Sequence, residues 1–375
     1  MADPLKNVYD EAFLLQLGRK ISAAYPPFQI DSFLQQVMDE SYEAKALKER
    51  IRTITIAMGT FLPERYEDAI QILCTVSESC SGFPYLIMPD FVEVFGQEEQ
   101  HWDLSMQALE KFTQQSSAEF AVRPFIIRHP EKMMEQMMKW SLHPVDHVRR
   151  LASEGCRPRL PWGQALTLFK QDPAPILPIL EQLKADPSLY VRKSVANNLN
   201  DIAKDHPNIV IETARKWMGQ HPYTDWIVRH GCRTLIRKAE PEVMALFGYA
   251  ESVEGIELVT EAEITASPAA LHIGENGNLS YNLRVREGDP ARLRIEYGID
   301  FVKSSGQVSR KKFLLSDKTV AGGTRISGSR KHRWADLTTR KHYAGVHRIV
   351  LLINGKEAAS TEVNLKPPIS KDELI

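Results

Sequence analysis

The sequence has few cysteines and no long apolar run, and each of these features argues against certain classes of protein. Its four cysteines show no CxxC spacing and no His-x-x-His partner, so neither a zinc site nor a disulfide framework is predicted and we expect buried thiols. No segment approaches the ~20 apolar residues needed to span a bilayer. The start MADPLKNVYD is polar and lacks the apolar core of a signal peptide. We therefore expect a cytoplasmic protein that does not bind membranes.

The chain also has almost no net charge, but this average hides two strongly charged segments. The formal net charge of the 375 residues is −1. Residues 1–118 carry eighteen acidic and nine basic side chains, whereas residues 302–342 carry eleven basic side chains against two acidic ones. Such a basic cluster favours a phosphate-bearing partner, and a solvated surface is the alternative. With 43% hydrophobic residues, the chain is long enough for two or three domains.

Residues 8–250 have the pattern of helices, and a repeat occurs within them. Apolar residues recur at helical spacing and are interrupted by short turns such as YPP, SGFP and RHP. The segments HPVDHVRR, DPSLYVRK and HPYTDWIVRH each place a proline-led turn before a Val-Arg pair that opens a helix. The pairs begin at Val148, Val191 and Val228, at intervals of 43 and 37 residues. This period predicts HEAT-like helical pairs that stack into a solenoid with a concave face.

After about residue 257 the pattern changes to short alternating segments, among them LSYNLRVR, ARLRIEYGIDFV and HRIVLLI. They predict roughly seven strands. The dipeptide Asn354-Gly355 predicts a two-residue type I′ hairpin, because both central positions of that turn need positive φ. An immunoglobulin-like sandwich fits this pattern, here without a cysteine for an inter-sheet disulfide. The predicted fold is an all-α HEAT-like domain of residues 1–255 followed by an all-β immunoglobulin-like domain of residues 256–375.

One short stretch, HVRRLASEGCRPRLPWG, combines a single acid with several arginines. Glu154 lies among Arg149, Arg150, Arg157 and Arg159. Because Arg150, Glu154 and Arg157 fall on one helical stripe, an exposed helix with ion pairs would explain the pattern. The alternative is a cationic surface that holds a polyanion while Glu154 acts on it chemically.

A second acid stands in a helix with a well-defined apolar stripe. This stripe is predicted at Val191, Val195, Leu199 and Ile202. It turns Ser194, Asn197 and Asp201 onto another face of the same helix. An ion pair with Lys204 would explain Asp201 as a structural residue, and a chemical role is the alternative.

Three ordered blocks carry a resemblance to a known family. SSAEFAVRPFI, HVRRLASEGCRPRLPW and YVRKSVANNLNDIAKDHP together resemble the DNA alkylation repair glycosylases built from HEAT-like repeats, specifically the AlkC branch. The β domain resembles the immunoglobulin-like appendage that some members of this branch carry. The resemblance implies that Glu154 and Asp201 are catalytic carboxylates, with Glu119 as a third acid of the site. Without the resemblance, an ion pair with Arg123 at i+4 would explain Glu119.

The resemblance also implies a partner, which is double-stranded DNA that contains alkylated bases. Basic and polar residues that we expect to contact this DNA recur near the helix starts: Arg149, Arg150, Arg157, Arg159, Arg192, Lys193, Asn197, Arg229 and Arg233. Trp162 is predicted to stack or to act as a wedge in the DNA, and a core position is the alternative. In the β domain, Arg330, Lys331 and Arg333 beside Trp334 predict a second DNA-binding surface on loops, and a stabilising cap is the alternative. We expect a monomer without a cofactor or a metal.

The implied chemistry agrees with these residue types. An N3-alkylated adenine or cytosine is cationic and leaves as a neutral base, so no strong general acid is required. A fixed carboxylate can stabilise the oxocarbenium-like sugar while another acid delivers water to C1′. No motif demands a Schiff-base lysine, so a monofunctional glycosylase acting on 3-methyladenine, with 3-methylcytosine as a further candidate, is predicted. A non-catalytic HEAT-repeat scaffold that binds nucleic acid or protein is the alternative, since fold alone does not define function.

Overall fold

A computed structural model describes residues 4–252, 257–338 and 340–369 of the chain. The chain divides into two compact units, Met1–Cys232 and Arg233–Ile375. The predicted domain boundary at residue 255 lies outside the described residues. The division at Cys232 differs from this prediction, because the last two short helices before residue 250 group with the β-strands.

The described part of the first unit consists of fourteen α-helices joined by short loops and turns. They are α1 (Glu11–Ala24), α2 (Ile30–Val37), α3 (Leu47–Phe61), α4 (Tyr66–Ser77), α5 (Ile87–Phe95), α6 (Trp102–Gln115), α7 (Val122–Arg128), α8 (Pro130–Ser141), α9 (Asp146–Gly155), α10 (Thr167–Gln171), α11 (Leu177–Leu183), α12 (Leu189–Ile202), α13 (Pro207–Trp217) and α14 (Pro222–Gly231). Over the residues that the structure describes, no helix combines the length and the apolar character needed to cross a bilayer.

The helices that begin at the repeated Val-Arg pairs pack beside one another. Helix α9 lies against α12, and α12 lies against α14. Helices α8, α11 and α13 form a second layer that packs on these three. The predicted apolar stripe of α12 is fully buried at Val191, Val195, Leu199 and Ile202. The prediction of HEAT-like stacked helical pairs is confirmed.

The repeated arginine fixes the turn that precedes its own helix. Arg149 donates from Nη1 to the carbonyl oxygens of His143 and Pro144 at 2.9 and 2.7 Å. Arg192 makes the two equivalent bonds, both 2.8 Å long, to the turn that begins at Asp186. In each repeat the acceptors lie six and five residues before the arginine. The arginine thus satisfies carbonyl groups that the proline-led turn leaves without a backbone partner.

The second unit contains two short helices and eight strands in its described part. They are α15 (Arg233–Lys238), α16 (Pro241–Leu246), β1 (Val259–Ser267), β2 (Ala270–His272), β3 (Asn276–Val285), β4 (Ala291–Val302), β5 (Val308–Val320), β6 (Arg325–Arg333), β7 (Gly345–Ile353) and β8 (Lys356–Lys366). The strands form two sheets, in the orders β1-β3-β6 and β2-β8-β7-β4-β5. Leu283 of the first sheet and Ile295 and Leu351 of the second belong to one core, so the unit is a β-sandwich.

The predicted hairpin between β7 and β8 is present. Asn354 and Gly355 have φ values of 48° and 86°, and Ile353 pairs with Lys356 across the two-residue loop. The type I′ prediction is therefore confirmed. The Asn354 side chain also donates to the carbonyl oxygen of Ala250 at 2.8 Å, which fastens the hairpin to the chain before the first strand.

Candidate active site

One face of α9 forms the floor of an open cleft in the helical unit. His147, Arg150 and Glu154 follow one another at i, i+3 and i+7, and Arg157 continues this row just beyond the helix end. Residues 114–117, Glu119 and Phe120 also line this cleft. The cleft has a volume of about 600 Å³. It is large enough for a nucleotide and remains open to solvent.

Arg157 joins two of the predicted acids. Glu154 is 5% exposed and Asp201 is 2% exposed. Arg157 donates from Nη1 to Glu154 Oε1 at 2.6 Å and from Nε to Asp201 Oδ2 at 2.9 Å. Lys204 Nζ donates to the other Asp201 oxygen at 2.8 Å. Burial alone would lower the pKa of Arg157, but the two carboxylates hold that pKa above its ordinary value.

Small polar side chains fix the approach of α9 and α12 that brings these acids together. Ser153 Oγ donates to Ser194 Oγ at 2.6 Å. Asn198 Nδ2 donates to the carbonyl oxygen of Ser153 at 2.8 Å. Because Glu154 follows Ser153 and Asp201 lies one turn after Asn198, these contacts carry both acids to the same guanidinium.

The third predicted acid, Glu119, enters the network through Arg150. Nη1 of Arg150 lies 2.5 Å from Glu119 Oε2, and its Nη2 lies 3.7 Å from Glu154 Oε1. Ser117 Oγ donates to the same Glu119 oxygen at 2.8 Å. Three segments of the chain therefore place their acids around two neighbouring arginines. The network is largely buried, which overturns the interpretation of an exposed helix with surface ion pairs.

Arg123 supports the loop after α9 and not the acid that the sequence pairs with it at i−4. Its Nη1 donates to the carbonyl oxygens of Gly155 and Arg157 at 2.9 Å each. Its Nε donates to the carbonyl oxygen of Gln164. Burial lowers the pKa of Arg123 to about 10. Arg123 therefore fixes the loop that follows α9 through carbonyl groups between Gly155 and Gln164.

Trp162 lies on this loop and lines the cleft. Its side chain is 62% exposed, so the alternative of a core position is wrong. Its φ is 61°, in a turn closed by the Gly163 amide and the Leu160 carbonyl oxygen at 3.1 Å. Such a left-handed conformation costs a bulky residue about 1–3 kcal/mol and persists only where the surroundings enforce it. The loop therefore holds a large aromatic ring open to solvent beside the acids.

Four of the arginines predicted to grip phosphates make short ion pairs within the protein, and one of them is Arg150 in its pair with Glu119. Arg157 is 7% exposed and belongs to the acid network, so a phosphate contact in this conformation is excluded. Arg149 Nε lies 2.6 Å from Asp186 Oδ2. Arg159 Nη2 lies 2.5 Å from Asp205 Oδ1 and keeps a side chain that is 36% exposed.

The remaining residues that were predicted to contact DNA from the helices stay at least partly accessible. Lys193 is exposed on α12. Asn197 and Arg229 are partly exposed, and so is Arg233, the first residue of the second unit. Arg192, besides fixing its turn, lies over the Tyr223 ring at 3.9 Å from the ring centroid.

The basic cluster of the second unit lies on a strand, so the expectation that loops present it is wrong. Arg330, Lys331 and Arg333 are exposed on β6, at one edge of the three-stranded sheet. Trp334 is 1% exposed and belongs to the sandwich core, so it is not a surface residue. Strand alternation places Lys331 and Arg333 on the outer face and His332 on the inner face.

Two further rings line the cleft, His147 and Tyr190, and neither was predicted from the sequence. Their centroids are 5.3 Å apart, and the Arg150 guanidinium lies 4.7 Å from the Tyr190 centroid. Both residues directly precede a Val-Arg pair, in HVR and YVR. This shared position before each Val-Arg pair could have indicated the two rings. It places them next to each other only once the repeats are known to stack.

The cysteines take no visible part in a metal site. Cys80, Cys156 and Cys232 are buried, and Cys74 is partly buried. Burial raises the pKa of Cys156 to about 12. Within the described ranges, no three His, Cys, Asp or Glu side chains are grouped so that they could hold a metal ion.

Comparison with known proteins extends over both units. Residues 260–367 match the family described as the C-terminal Ig-like domain of the uncharacterised protein YhaZ. The chain is 44% identical over 356 residues to the uncharacterized protein YhaZ of Bacillus subtilis (strain 168), which covers 95% of this chain and 97% of that protein. It also matches the structure of the Pseudomonas fluorescens alkylpurine DNA glycosylase AlkC bound to DNA containing an abasic site analog. That match has a TM-score of 0.91 and 36% identity, and covers 97% of this chain and 100% of the other.

The fold and the site define a HEAT-like helical protein with an acid-lined cleft and a C-terminal immunoglobulin-like domain. Sequence identities of 44% and 36% over almost the entire length of the compared proteins show membership of one family and not only a shared fold. The chain belongs to the AlkC-type family of HEAT-like repeat DNA glycosylases. The family predicted from three sequence blocks is confirmed, together with the immunoglobulin-like nature of the β domain.

Proposed function

We propose that this protein is a DNA glycosylase that removes alkylated bases, and more specifically a monofunctional hydrolase acting on cationic N3-alkylated bases. One observation carries the proposal: Glu119 and Glu154 stand with Arg150 and Arg157 on the wall of an open cleft. A scaffold without catalysis has no chemical reason to hold several acids beside an accessible cleft. The family relationship supports the same activity.

Fixed carboxylates suit the hydrolysis of a bond whose base is already a good leaving group. The positive charge that develops on the sugar is stabilised by Glu154, whose position two arginines and the helix determine before the substrate arrives. Glu119 is the second acid on the cleft wall and accepts the proton of a water that attacks C1′. A cationic 3-methyladenine or 3-methylcytosine leaves as a neutral molecule and needs no proton from the enzyme.

Asp201 requires a further step in this proposal. It lies behind Arg157, is 2% exposed and does not line the cleft formed by the described residues. A direct contact between Asp201 and a sugar therefore needs Arg157 to turn toward a DNA phosphate. That movement would give Arg157 the phosphate contact predicted from the sequence, and it would free both carboxylates of their shared cation.

Binding of double-stranded DNA is assigned to the exposed groups around the cleft and on the second unit. Trp162 contacts the bases, and Lys193 and Asn197 contact the backbone. Arg330, Lys331 and Arg333 on β6 supply a second set of phosphate contacts. We propose that one copy of the chain carries the complete site, because each acid and arginine of the network comes from the same chain.

The release of free base from alkylated DNA tests the proposal. Purified protein in excess over methylated duplex DNA should release 3-methyladenine and leave abasic sites. Glu154→Gln, purified in the same way, is the control against a contaminating glycosylase. If the wild-type protein binds the DNA but releases no base, the scaffold alternative is favoured.

A further inference from the structure

Tyr190 lies in the same cleft as the acids, and the proposed chemistry does not use it. Its side chain is 39% exposed and lines the cleft together with Glu154 and Trp162. Tyr190 stands beside His147, at the start of α9, whereas Trp162 follows Arg157 beyond the helix end. Eight residues separate His147 from the end of α9 at Gly155, which corresponds to about 12 Å at the helical rise per residue. The cleft therefore has an accessible aromatic ring at each end.

The Tyr190 ring is held in place before any ligand arrives. The guanidinium of Arg150 lies 4.7 Å from its centroid, within cation–π range. The His147 ring packs at 5.3 Å with an interplanar angle of 59°. Arg150 is itself fixed by Glu119 and by Ser117, whose Oγ accepts from Nη1 at 3.1 Å. A partly exposed ring with this support loses little conformational freedom when a flat ligand covers it.

We propose that Tyr190 is a second base-stacking group of the site, which receives a nucleobase at the end of the cleft opposite Trp162. The inference rests on the proposed function, because it assumes that DNA occupies the cleft. Every nucleobase has a π face, so such a contact tolerates any sequence beside the lesion. A span of about 12 Å, with the loop that carries Trp162 beyond it, corresponds to about four base steps of 3.4 Å along one strand. The two rings thus bracket a short stretch of one strand with the acids between them.

Tyr223 provides a matched control in the same helical unit. It is 40% exposed, and Arg192 lies over its ring at 3.9 Å from the centroid. It stands near the start of α14, much as Tyr190 stands near the start of α12. Tyr223 does not line the cleft that the described residues form. Tyr223 therefore resembles Tyr190 in residue type, in exposure and in its contact with an arginine. It differs in that it lies outside the cleft.

The experiment uses the full-length protein and duplexes that carry a stable tetrahydrofuran abasic analogue and one 2-aminopurine. The fluorescent base is placed in turn at each of six positions on either side of the analogue. We expect protein-induced quenching within four positions on one side. Tyr190→Leu should abolish that quenching and weaken binding by about 10-fold, within the range measured for the loss of one stacked base. Tyr190→Phe should keep both, and Tyr223→Leu should match the wild type.

Other results would overturn the inference. Wild-type quenching and affinity in a folded Tyr190→Leu variant would show that no base stacks there. If Tyr190→Leu slowed single-turnover excision while quenching and affinity stayed unchanged, Tyr190 would act only through Arg150. Because the analogue has no base to release, the assay is independent of catalysis. Quenching that does not depend on Tyr190 would therefore reject stacking alone, whereas absence of base release would reject the glycosylase proposal alone.

Discussion

Arg157 is the residue on which the arrangement of the acids depends. It bridges Glu154 of α9 and Asp201 of α12, which are 47 positions apart in the sequence, and its side chain is 7% exposed. Removing one member of a buried ion-pair network leaves charges without a partner, which costs about 3–5 kcal/mol. Arg157→Ala should lower the free energy of unfolding by an amount of this order, as measured by urea denaturation.

Arg159→Ala is the matched control for that measurement. Arg159 lies on the same loop and also pairs with an aspartate, Asp205, but its side chain is 36% exposed. Solvent-exposed pairs contribute at most about 1 kcal/mol. If the two variants lost the same small amount of stability, the network around Arg157 would have no special structural role.

The second residue-scale prediction concerns the acids themselves. Glu154→Gln and Asp201→Asn keep the size of each side chain and remove its charge. We expect each to lower single-turnover excision of 3-methyladenine by about 10²-fold or more, the effect typical of losing a preorganised electrostatic group. Asp205→Asn is the control, because Asp205 pairs with an arginine of the same loop outside the network. An unchanged rate for either variant would assign that acid a structural role.

The third prediction follows from the groups that the cleft acids contact. Glu154 accepts from Arg157 and lies near Arg150, a pattern that suits an ionised carboxylate and not a proton donor. Neutral lesions such as hypoxanthine or uracil need protonation to leave, whereas cationic lesions do not. Excision rates in one sequence context should therefore follow the charge of the base. Comparable rates for hypoxanthine and 3-methyladenine would contradict this mechanism.

At the scale of secondary-structure elements, local patterns predicted much of the fold. The stripe of α12 and the Asn354-Gly355 turn depend on neighbours within a few residues, and both are present as predicted. Such features follow from helical periodicity and from φ preferences, which a single sequence displays. The boundary between the two compact units was less visible, because α15 and α16 have the same helical pattern as the repeats before them.

The candidate site was less predictable because its contacts join distant segments. The sequence suggested Arg123 as the partner of Glu119 and a phosphate as the partner of Arg157. In the structure, Arg150 pairs with Glu119 and Arg157 pairs with Asp201. An i,i+4 rule describes neighbours on one helix and contains no information on which helix packs opposite. Local spacing did predict the ion pairs of Glu154 with Arg150 and Arg157 and of Asp201 with Lys204. The pairs between distant segments became known only from the packing of the helices.

The core of the sandwich gives the fourth prediction, which concerns pH. His332 on β6 is buried beside Tyr297, whose hydroxyl lies 3.1 Å from its Nδ1. Burial, with smaller contributions from Arg340, His342 and Lys311, lowers the pKa of His332 from 6.5 to about 4. The folded domain therefore excludes a proton that the unfolded chain binds. The resulting stability is present above pH 6.5 and falls as the pH drops toward 4, with about 3 kcal/mol lost there.

Calorimetric unfolding of the full-length protein between pH 7.5 and 4 tests this effect. His332→Gln should flatten the pH dependence of the transition that belongs to the sandwich. His221→Gln serves as the control, because His221 is exposed in the helical unit. Equal pH dependence in wild type and His332→Gln would mean that His332 is protonated in the folded state as easily as in the unfolded chain.

At the scale of the whole molecule, the two units differ in the charge that they offer to DNA. In the helical unit, many arginines are already committed to acids or to turns, as Arg149 and Arg157 are. On β6, by contrast, Arg330, Lys331 and Arg333 are all exposed, with Lys331 and Arg333 on the outer face of the strand and Arg330 on the other face. Free surface cations determine how steeply affinity depends on salt, because each phosphate contact releases counterions. A protein with this distribution should rely on its second unit for part of its electrostatic attraction to DNA.

The last prediction tests that reliance with the full-length chain. Changing Arg330, Lys331 and Arg333 to Ala should weaken binding to lesion-containing duplex, and each lost phosphate contact should reduce the log–log salt slope by roughly 0.9. The control removes three exposed arginines of the helical unit outside the cleft, at Arg19, Arg65 and Arg128, so that the change in net charge is the same. Single-turnover excision at saturating protein should change less than affinity, since the acids lie in the other unit. Identical slopes for both triple variants would mean that β6 presents only a solvated surface, and the β domain would then act as a stabilising cap.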